Sequence, residues 1–244
     1  MELIEAIRER HAVREYSDRP LEGEVLEELK AYIAECNQES GLHMQLVVDE
    51  PRAFAGNKAH YGKFSGVKNY IAMVGKKSKA AQEACGYYGE KIVLKAQQMG
   101  LNTCWVGITF DVVRGTFTLG YNEKLYLVIA IGYGETAGQP HKGKEFNQVT
   151  KIAKNEVAPE WFRKGVEAAL LAPTGMNMQR FKFVYNDNHI TLKSGMGFFT
   201  RIDTGIVKLH FEIGSEKQMD WAAGVPVGDA PAAASTEETA PAAE

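Results

Sequence analysis

An arginine-rich stretch near the start of the chain has the residue types of a phosphate-binding site. Residues 10–14 read RHAVR, so two guanidinium groups flank a histidine within one short segment. A guanidinium is planar, stays charged at any working pH and can hold two phosphate oxygens at once. The stretch therefore predicts a phosphate cradle. The alternative is a solvated helix end, where arginines meet the negative end of the helix dipole, and the stretch taken alone favours that alternative.

Two polar amides occupy an unusual position late in the chain. Residues 172–179 read APTGMNMQ and separate a segment of helical pattern from an alternating run that begins at Arg180. Proline and glycine between a helix and a strand are ordinary loop residues. Asn177 and Gln179 are less ordinary, because they follow where the chain should already turn inward and their amides need hydrogen-bond partners. This loop is therefore a candidate for ligand contact.

Two further loops could contact the same ligand. Residues 100–107 read GLNTCWVG and lead from a helix into a strand, where backbone N–H and C=O groups could face a flat molecule; a plain connection with Trp105 in the core is the alternative. A run ending in IGYG is followed by HKGK at 141–144, whose lysines could bind phosphate or simply be solvated. Cys104 has no basic partner nearby in sequence, so it is interpreted as a small buried apolar group and not as a nucleophile.

The elements that must position these loops mix helical and strand patterns. Apolar residues spaced for one buried helical face alternate with short strand-like runs, which predicts an α+β fold. The predicted helices are a short first one around Leu3–Ile7, a second that starts near 17–20, and later ones at 79–99 and 202–214. The predicted strands are 43–50, 69–75, 104–109 (strand or loop), 125–134 and a hairpin over 180–192.

Parts of the sequence are repeated. SGLHMQ (40–45) is similar to TGMNMQ (174–179), and IVLKAQQMG (92–100) is similar to IVKLHFEIG (206–214). Six-residue similarities do occur by chance, but two in the same order and the same structural context favour related halves. We therefore predict two α+β halves packed around a common axis. Their bounds are 1–150 and 151–221, followed by an Ala/Pro/Thr/Glu-rich tail at 222–244 that is predicted to be disordered.

Composition excludes several classes of function. The net charge of −3 gives no reason to expect a nucleic-acid partner, and the longest apolar run is far too short to span a membrane. The charged N-terminus is not of signal-peptide type, and the three widely spaced cysteines suit a reducing cytoplasm. No Rossmann, P-loop, zinc or nucleophile-elbow motif is present. Phosphate-binding arginines without such motifs suggest a cofactor that brings its own chemistry.

Taken together, RHAVR, APTGMNMQ, GLNTCWVG and IGYG with its downstream lysines resemble the flavin-dependent nitroreductase family over roughly residues 1–215. Within that family the chain resembles the single-chain branch called "putative TM nitroreductase". The resemblance implies a tightly held FMN and a nitroreductase-like α/β/α sandwich. It also implies a ping-pong transfer of electrons from NAD(P)H to a small-molecule acceptor such as a nitroaromatic or a quinone.

The resemblance also predicts how the site is assembled. In typical members one subunit supplies the arginine motif, and the partner supplies the loop that reaches the flavin ring. Here the well-kept copy of that loop comes late, and no second arginine motif precedes it. A monomer that acts as a fused pseudo-dimer with one FMN site is therefore expected, without a membrane or nucleic-acid partner.

Carried over residue by residue, the resemblance implies three sets of flavin contacts. Those to the phosphate, ribityl chain and pyrimidine edge are Arg10, His11, Ala12 and Arg14, completed by Lys142 or Lys144. Those to the ring are Pro173, Thr174, Gly175 and Asn177, with backbone groups of Leu101, Asn102 and Thr103 near its reactive edge. No protein group is required as a catalytic nucleophile, and no metal is implied.

The chain departs from the family pattern in several places. Ala12 stands where a serine is common, and loss of that hydroxyl could weaken binding by roughly 1 kcal/mol. Gly143 stands where an arginine is expected, and Arg180 and Phe181 replace a Pro-Trp pair. These departures leave two other interpretations open: a non-catalytic or flavin-lapsed scaffold on the same fold, and an unrelated α+β enzyme that matches the motifs by chance.

Overall fold

The computed structural model describes residues 1–229 and confirms the alternation of helices and strands. Its helices are α1 (Leu3–Glu9), α2 (Gly23–Ser40), α3 (Asn57–Tyr61), α4 (Lys79–Gln98), α5 (Phe146–Val149), α6 (Glu160–Ala169) and α7 (Thr200–Ser215). Its strands are β1 (Gln45–Val47), β2 (Asn69–Lys76), β3 (Asn102–Val106), β4 (Glu123–Gly132), β5 (Thr150–Ile152), β6 (Phe181–Asn186), β7 (His189–Ser194), β8 (Lys217–Asp220) and β9 (Val225–Asp229). Short 3₁₀ turns lie at Pro51–Phe54 and Gly175–Asn177.

Local sequence signals set several of the helix ends. Ser78 caps α4, because its side chain accepts a hydrogen bond from Ala81 N at 3.0 Å. Gly41 ends α2 in a left-handed conformation, with φ of 66°. The predicted start of α2 at 17–20 is wrong, since the helix begins at Gly23. Ser17 instead donates hydrogen bonds from its backbone and its hydroxyl to the carbonyl oxygen of Tyr133, so tertiary contacts take the place of a cap.

The first sheet has the strand order β1-β2-β4-β3 and is antiparallel throughout. Alternate residues of its central strands enter two different cores. From β2, Ile71 and Met73 face the core built with α2, α4, α6 and α7, whereas Tyr70 and Ala72 face a smaller core that includes Phe54. Burial on both faces explains why these strands read as continuous apolar runs.

The second sheet, of strand order β5-β6-β7, lies almost entirely within the second predicted half. In it β5 pairs in parallel with β6, and β6 and β7 form the predicted hairpin, whose turn residues Asp187 and Asn188 have positive φ. The predicted boundary after residue 150 falls within β5, so two of the three residues of this strand belong to the second segment. After α1, the order helix–strand–strand–helix occurs twice along the chain. It occurs as α2-β1-β2-α4, with α3 between the two strands, and as α6-β6-β7-α7.

The helices α4 and α7 cross in close contact at two glycines. A Cβ added to Gly86 would lie 1.9 Å from the carbonyl oxygen of Ile202, and one added to Gly205 would lie 2.0 Å from the carbonyl oxygen of Glu83. Because those neighbours are backbone atoms, neither position leaves room for any side chain. The crossing places residues of both segments in one hydrophobic core.

The predicted disorder from residue 222 onward is wrong for residues 222–229. Val225–Asp229 forms β9, which pairs antiparallel with β8. The Ala/Pro/Thr/Glu-rich composition of the whole tail gives no sign of this short strand. Hydrogen bonds to β8 stabilise it, because its own residues have little strand propensity. The rest of the predicted tail lies outside the described residues. Across residues 1–229, no helix combines the length and the apolar character needed to cross a bilayer.

Candidate functional site

Arg10 ends α1 and points its side chain into the protein. Its backbone N–H closes the helix by donating to the carbonyl oxygen of Ala6. The residue is 4% exposed, and its Nε lies 3.8 Å from Glu90 Oε1, outside hydrogen-bond distance. The arginine motif therefore begins with a buried cation, which is unlike the solvated helix end that the sequence alone favoured.

The rest of the arginine motif runs beside β3. Val13 N donates to the carbonyl oxygen of Thr103 at 3.0 Å, and buried Val13 lies between exposed Ala12 and Arg14. Burial raises the pKa of the Cys104 thiol, and the charges of Arg14 and Arg10 oppose that rise, so both arginines lie near this strand. A buried thiol of raised pKa is an unreactive one, in agreement with its interpretation as an apolar group.

The predicted segment 101–103 is held from both sides. Leu101 lies in the core and Thr103 is buried. Asn102 Oδ1 accepts a hydrogen bond from Gly134 N at 3.0 Å, which fixes the chain after β4 against β3. These side chains thus make internal contacts, and part of the segment's backbone is engaged as well, since Leu101 N donates to the carbonyl oxygen of Ala96 and the carbonyl oxygen of Thr103 accepts from Val13 N.

The loop after β4 passes the arginine motif and continues to residues 172–179, called the ring loop because the resemblance places them at the flavin ring. A Cβ added to Gly138, whose φ is 78°, would lie 2.8 Å from the Cβ of His11. Burial lowers the pKa of His141, and the charges of Arg10, His11 and His210 lower it further, so His141 lies within electrostatic reach of the motif. The predicted phosphate loop therefore adjoins the arginine motif.

The lysines of this loop contact the segment around Asn177. Asn177 Nδ2 donates to the carbonyl oxygen of Lys142 at 2.9 Å. Gln179 Oε1 accepts from Lys144 N at 2.6 Å, and Lys144 Nζ donates to the carbonyl oxygen of Gln179 at 2.7 Å. Lys142 is exposed, whereas the amine of Lys144 is already engaged within the protein. Gln179, which the sequence singled out as unusual, thus serves as a structural tie between the two loops.

The ring loop itself is strained. Met176, Asn177 and Gln179 all have positive φ, at 52°, 52° and 45°. Left-handed backbone is unfavourable for Met176 and Gln179 and better tolerated by asparagine, and such conformations cluster at ligand sites. The Asn177 Oδ1 atom is buried without a hydrogen-bond partner. The Asn177 acceptor therefore lies between two residues, Met176 and Gln179, whose backbone conformation is unfavourable.

Asp203 anchors the ring loop and was not predicted from the sequence. Asp203 lies in the first turn of α7, and its Oδ1 accepts a hydrogen bond from Gly175 N at 3.0 Å. Burial raises the pKa of Asp203 to about 6, although the Gly175 N–H and the charge of Arg180 lower it. Phe199, at the same end of α7, packs against both Gly107 and Gly175, so the ring loop also adjoins the chain after β3.

The raised pKa predicts a pH-dependent difference between wild type and Asp203→Asn. The folded wild type keeps a proton on Asp203 up to about pH 6, whereas the unfolded chain loses it near pH 4. Wild-type stability therefore falls, relative to the asparagine variant, as pH rises from about 4 to about 6. We expect the variant to gain on the order of 2 kcal/mol between these limits in urea unfolding. An unchanged difference across this range would show that the carboxylate is not desolvated.

Two more buried residues near Arg10 were missed by sequence reasoning. Glu90 of α4 and His210 of α7 are both 0% exposed, and Glu90 Oε1 lies 2.9 Å from His210 Nε2. The sequence signal that could have identified Glu90 is its place among the apolar residues on the buried face of α4. The histidine lies within the repeated segment 206–214, where nothing distinguishes it from a core residue.

Unsatisfied polar atoms coincide with the predicted flavin contacts. Within residues 1–229, the buried side-chain nitrogen and oxygen atoms that lack a hydrogen-bond partner are Arg10 Nε, Asn177 Oδ1 and Glu156 Oε2. The first two belong to the two motifs that the sequence singled out. Cavities of about 200 and 270 Å³ lie elsewhere, beside Tyr133 and beside Trp221, and contain no residue of either motif. The candidate site is therefore identified by its polar groups and not by these cavities.

Comparison with known proteins finds solved structures that are similar to this chain. No curated protein matches the chain. A solved structure of a "putative nitroreductase" from Thermotoga maritima is similar, with a TM-score of 0.63 and 22% identity over 88% of this chain and 83% of that chain. A "Putative NADH dehydrogenase/NAD(P)H nitroreductase" from Parabacteroides distasonis has a TM-score of 0.49 and 23% identity, over 64% of this chain and 98% of that chain. An "FMN-dependent Nitroreductase" from Clostridium difficile has a TM-score of 0.42 and 16% identity, over 59% of this chain and 92% of that chain.

The family model extends over all the segments that form the candidate site. It matches residues 2–215, from α1 to the end of α7. The Thermotoga structure shows the nitroreductase fold and confirms the predicted α+β class. Membership in a nitroreductase family supports a general oxidoreductase role. Because the arginine motif, the ring loop and the helices that join them all fall within the matched range, this chain belongs to the family described as "Putative TM nitroreductase".

Proposed function

We propose that this chain is an FMN-dependent oxidoreductase of the nitroreductase type. It moves electrons from NAD(P)H to a small acceptor, such as a nitroaromatic or a quinone, by a ping-pong mechanism. One observation carries the proposal: Arg10 Nε of the arginine motif and Asn177 Oδ1 of the ring loop are both buried and unpaired. Buried polar atoms are otherwise almost always hydrogen-bonded, so each one needs a partner.

The donor set fits FMN. Arg10 offers an N–H and a positive charge, which suit a phosphate or the carbonyl-rich edge of an isoalloxazine. Asn177 offers an acceptor, which suits a ring N–H. The loop between them, 138–144, contacts the arginine motif at one end and the ring loop at the other. A single elongated ligand with both anionic and N–H groups could therefore satisfy both motifs.

The chain's own residues bind, orient and tune the cofactor. When bound, FMN supplies the hydride and electron chemistry, so the protein needs no nucleophile. Arg10 and Arg14 supply positive charge beside β3, and exposed Lys142 is placed to add to it. Asp203 holds the ring loop through Gly175, which keeps Asn177 in place. A preorganised positive charge favours a ligand that gains negative charge during turnover.

We propose further that the two halves form a pseudo-dimer with a single site. The repeated helix–strand–strand–helix order supports this arrangement. The reciprocal contacts of Gly86 and Gly205 at the α4–α7 crossing are those expected of two helices related by a twofold axis. The arginine motif then comes from the first half and the ring loop from the second. The three cysteines are free and buried, which supports a reducing cytoplasmic location.

A flavin-lapsed scaffold is the second candidate, and one contact favours it. The amine of Lys144 is engaged by the carbonyl oxygen of Gln179, so it is not free to bind phosphate in this conformation. Together with Ala12 this leaves fewer phosphate contacts than the family pattern implies. The two candidates share a fold and differ in whether FMN is retained.

The visible spectrum of the purified protein tests the proposal. We expect flavin absorbance with about one FMN released per chain on denaturation, and a melting temperature that rises when FMN is added to protein stripped of it. A ligand specific for the native state at about a hundred times its Kd stabilises that state by roughly 2.7 kcal/mol. Two FMN per chain would contradict the single site. A colourless protein whose melting temperature does not change when FMN is added would favour the flavin-lapsed scaffold.

A further inference from the structure

A buried carboxylate joins the arginine motif to the α4–α7 crossing. Glu90 Oε2 accepts a hydrogen bond from Trp105 Nε1 at 2.8 Å. Its Oε1 lies 2.9 Å from His210 Nε2 and 3.8 Å from Arg10 Nε. The end of α1, α4, β3 and α7 thus meet at one side chain with no exposed surface. Ionisable groups are rarely buried this completely, and the protons in the cluster can be assigned.

The contacts of His210 locate one of those protons. Its Nδ1 lies 3.1 Å from the carbonyl oxygen of Ala168, which can only accept, so Nδ1 carries a hydrogen. At the other contact either His210 Nε2 or the Glu90 carboxyl must donate. The pair is therefore imidazolium with carboxylate, or neutral imidazole with carboxylic acid. In both arrangements the Glu90–His210 pair has no net charge.

Arg10 consequently keeps its positive charge uncompensated by this pair. Its Nε lies 3.8 Å from Glu90 Oε1 and makes no hydrogen bond, and the residue is 4% exposed. A buried cation whose nearest carboxylate is already matched by a histidine is unfavourable until another partner arrives. The charge is thus available to a ligand, while the Glu90 oxygen, 3.8 Å from Nε, acts on the guanidinium by electrostatic attraction without a hydrogen bond.

We propose that Glu90 and His210 are positioning residues for Arg10 in flavin binding, an inference that rests on the proposed FMN function. They act through the guanidinium and do not themselves touch the cofactor. His210 belongs to the second half and Glu90 to the first, so the pair also couples the arginine motif to the packing of the two halves. The same carboxylate holds the Trp105 indole, which fixes β3 beside the motif.

The second half contains a matching carboxylate that serves as a control. Glu212 of α7 is 3% exposed and accepts hydrogen bonds from Tyr87 Oη at 2.6 Å and from Trp221 Nε1 at 2.7 Å. Like Glu90, it binds one tryptophan from its own half and one side chain from the opposite helix. Within the described residues, its hydrogen-bond partners and ion pairs include no arginine.

The test compares Glu90→Gln with Glu212→Gln in the full-length chain. Glutamine keeps the shape and an acceptor for the tryptophan, but its amide N–H₂ then faces Arg10. We expect the Kd for FMN, from quenching of its fluorescence, to rise about tenfold in Glu90→Gln, because a displaced guanidinium would lose about one of its charge-assisted hydrogen bonds to the ligand. Glu212→Gln should change that Kd less than about twofold, although both variants lower the melting temperature.

The midpoint potential of bound FMN gives a readout that a merely structural role would not move. If the Arg10 charge favours the reduced form, the variant loses more affinity for reduced than for oxidised FMN. A tenfold difference between these two losses lowers the midpoint potential by about 30 mV for a two-electron couple. Equal FMN affinity and potential in wild type and Glu90→Gln would overturn the positioning role while leaving the proposed function intact. Equal weakening in both variants would also overturn it, as a general loss of packing. A wild type that binds no FMN would overturn the proposed function and this inference together.

Discussion

Arg10→Ala is expected to lower the affinity for FMN by about a hundredfold or more. A hydrogen bond to a charged group contributes about 1.5–3 kcal/mol, and the guanidinium offers several to one ligand. The variant should still fold, because Glu90 and His210 remain matched to each other after Arg10 is removed. The measurement is FMN titration followed by fluorescence, with the melting temperature recorded for each protein.

Arg8→Ala is the matched control for this prediction. Arg8 lies on the same helix, α1, but is exposed. Its removal should leave the affinity for FMN unchanged within about twofold, since surface charges away from a site contribute little. Arg10→Lys should fall between the two, because lysine keeps the charge but loses the planar fork. If Arg10→Ala bound FMN as tightly as Arg8→Ala, the arginine motif would not be part of a flavin site.

The sheet architecture could be predicted because burial leaves a direct mark on sequence. Strands β2 and β4 are buried on both faces, so their residues are apolar without alternation, and the runs at 69–75 and 125–134 were interpreted correctly. The hairpin of β6 and β7 was equally readable, since Asp187 and Asn188 tolerate the positive φ that its turn requires. These features depend on residues that are adjacent in the chain.

The network around Arg10 could not be predicted, because its members are far apart in sequence. Glu90 meets His210 only when α4 and α7 cross, and a lone buried histidine gives the same sequence pattern as any core residue. Asp203 anchors a loop nearly thirty residues away along the chain, through a backbone N–H that has no sequence signature. The motifs identified the surface of the site, and the tertiary fold supplied what supports it.

The wrong predictions have a related cause. Residues 17–20 carry the sequence signature of a helix start, but Ser17 is bonded to Tyr133 instead. The segment 225–229 lacks a strong strand pattern and gains its structure by pairing with β8. In both cases a tertiary contact outweighs local propensity: the hydrogen bond of Ser17 to Tyr133 in the first, and the pairing of β9 with β8 in the second. The local signal was real, and the competing partner was not visible in the sequence.

Substitution of either crossing glycine by alanine is expected to destabilise the protein by more than about 3 kcal/mol, because backbone atoms cannot yield as a side chain can. Gly86 would place its Cβ 1.9 Å from Ile202 O, and Gly205 would place its Cβ 2.0 Å from Glu83 O. The gain in helix propensity from glycine to alanine, about 1 kcal/mol, is too small to offset this. Gly228→Ala is the control in urea unfolding, because its added Cβ would meet nothing closer than 4.0 Å.

The double variant Gly86→Ala with Gly205→Ala distinguishes a shared crossing from two separate clashes. One outward shift of α7 relieves both contacts, so the double variant should lose less stability than the two single losses added together. The same shift would separate His210 from Glu90, because these residues lie on the two helices that move apart. Affinity for FMN should therefore fall in the single variants at temperatures where they remain folded. Strict additivity of the two stability losses would mean that the clashes are separate. Unchanged affinity for FMN in a folded variant would mean that the flavin site does not depend on how the two halves pack.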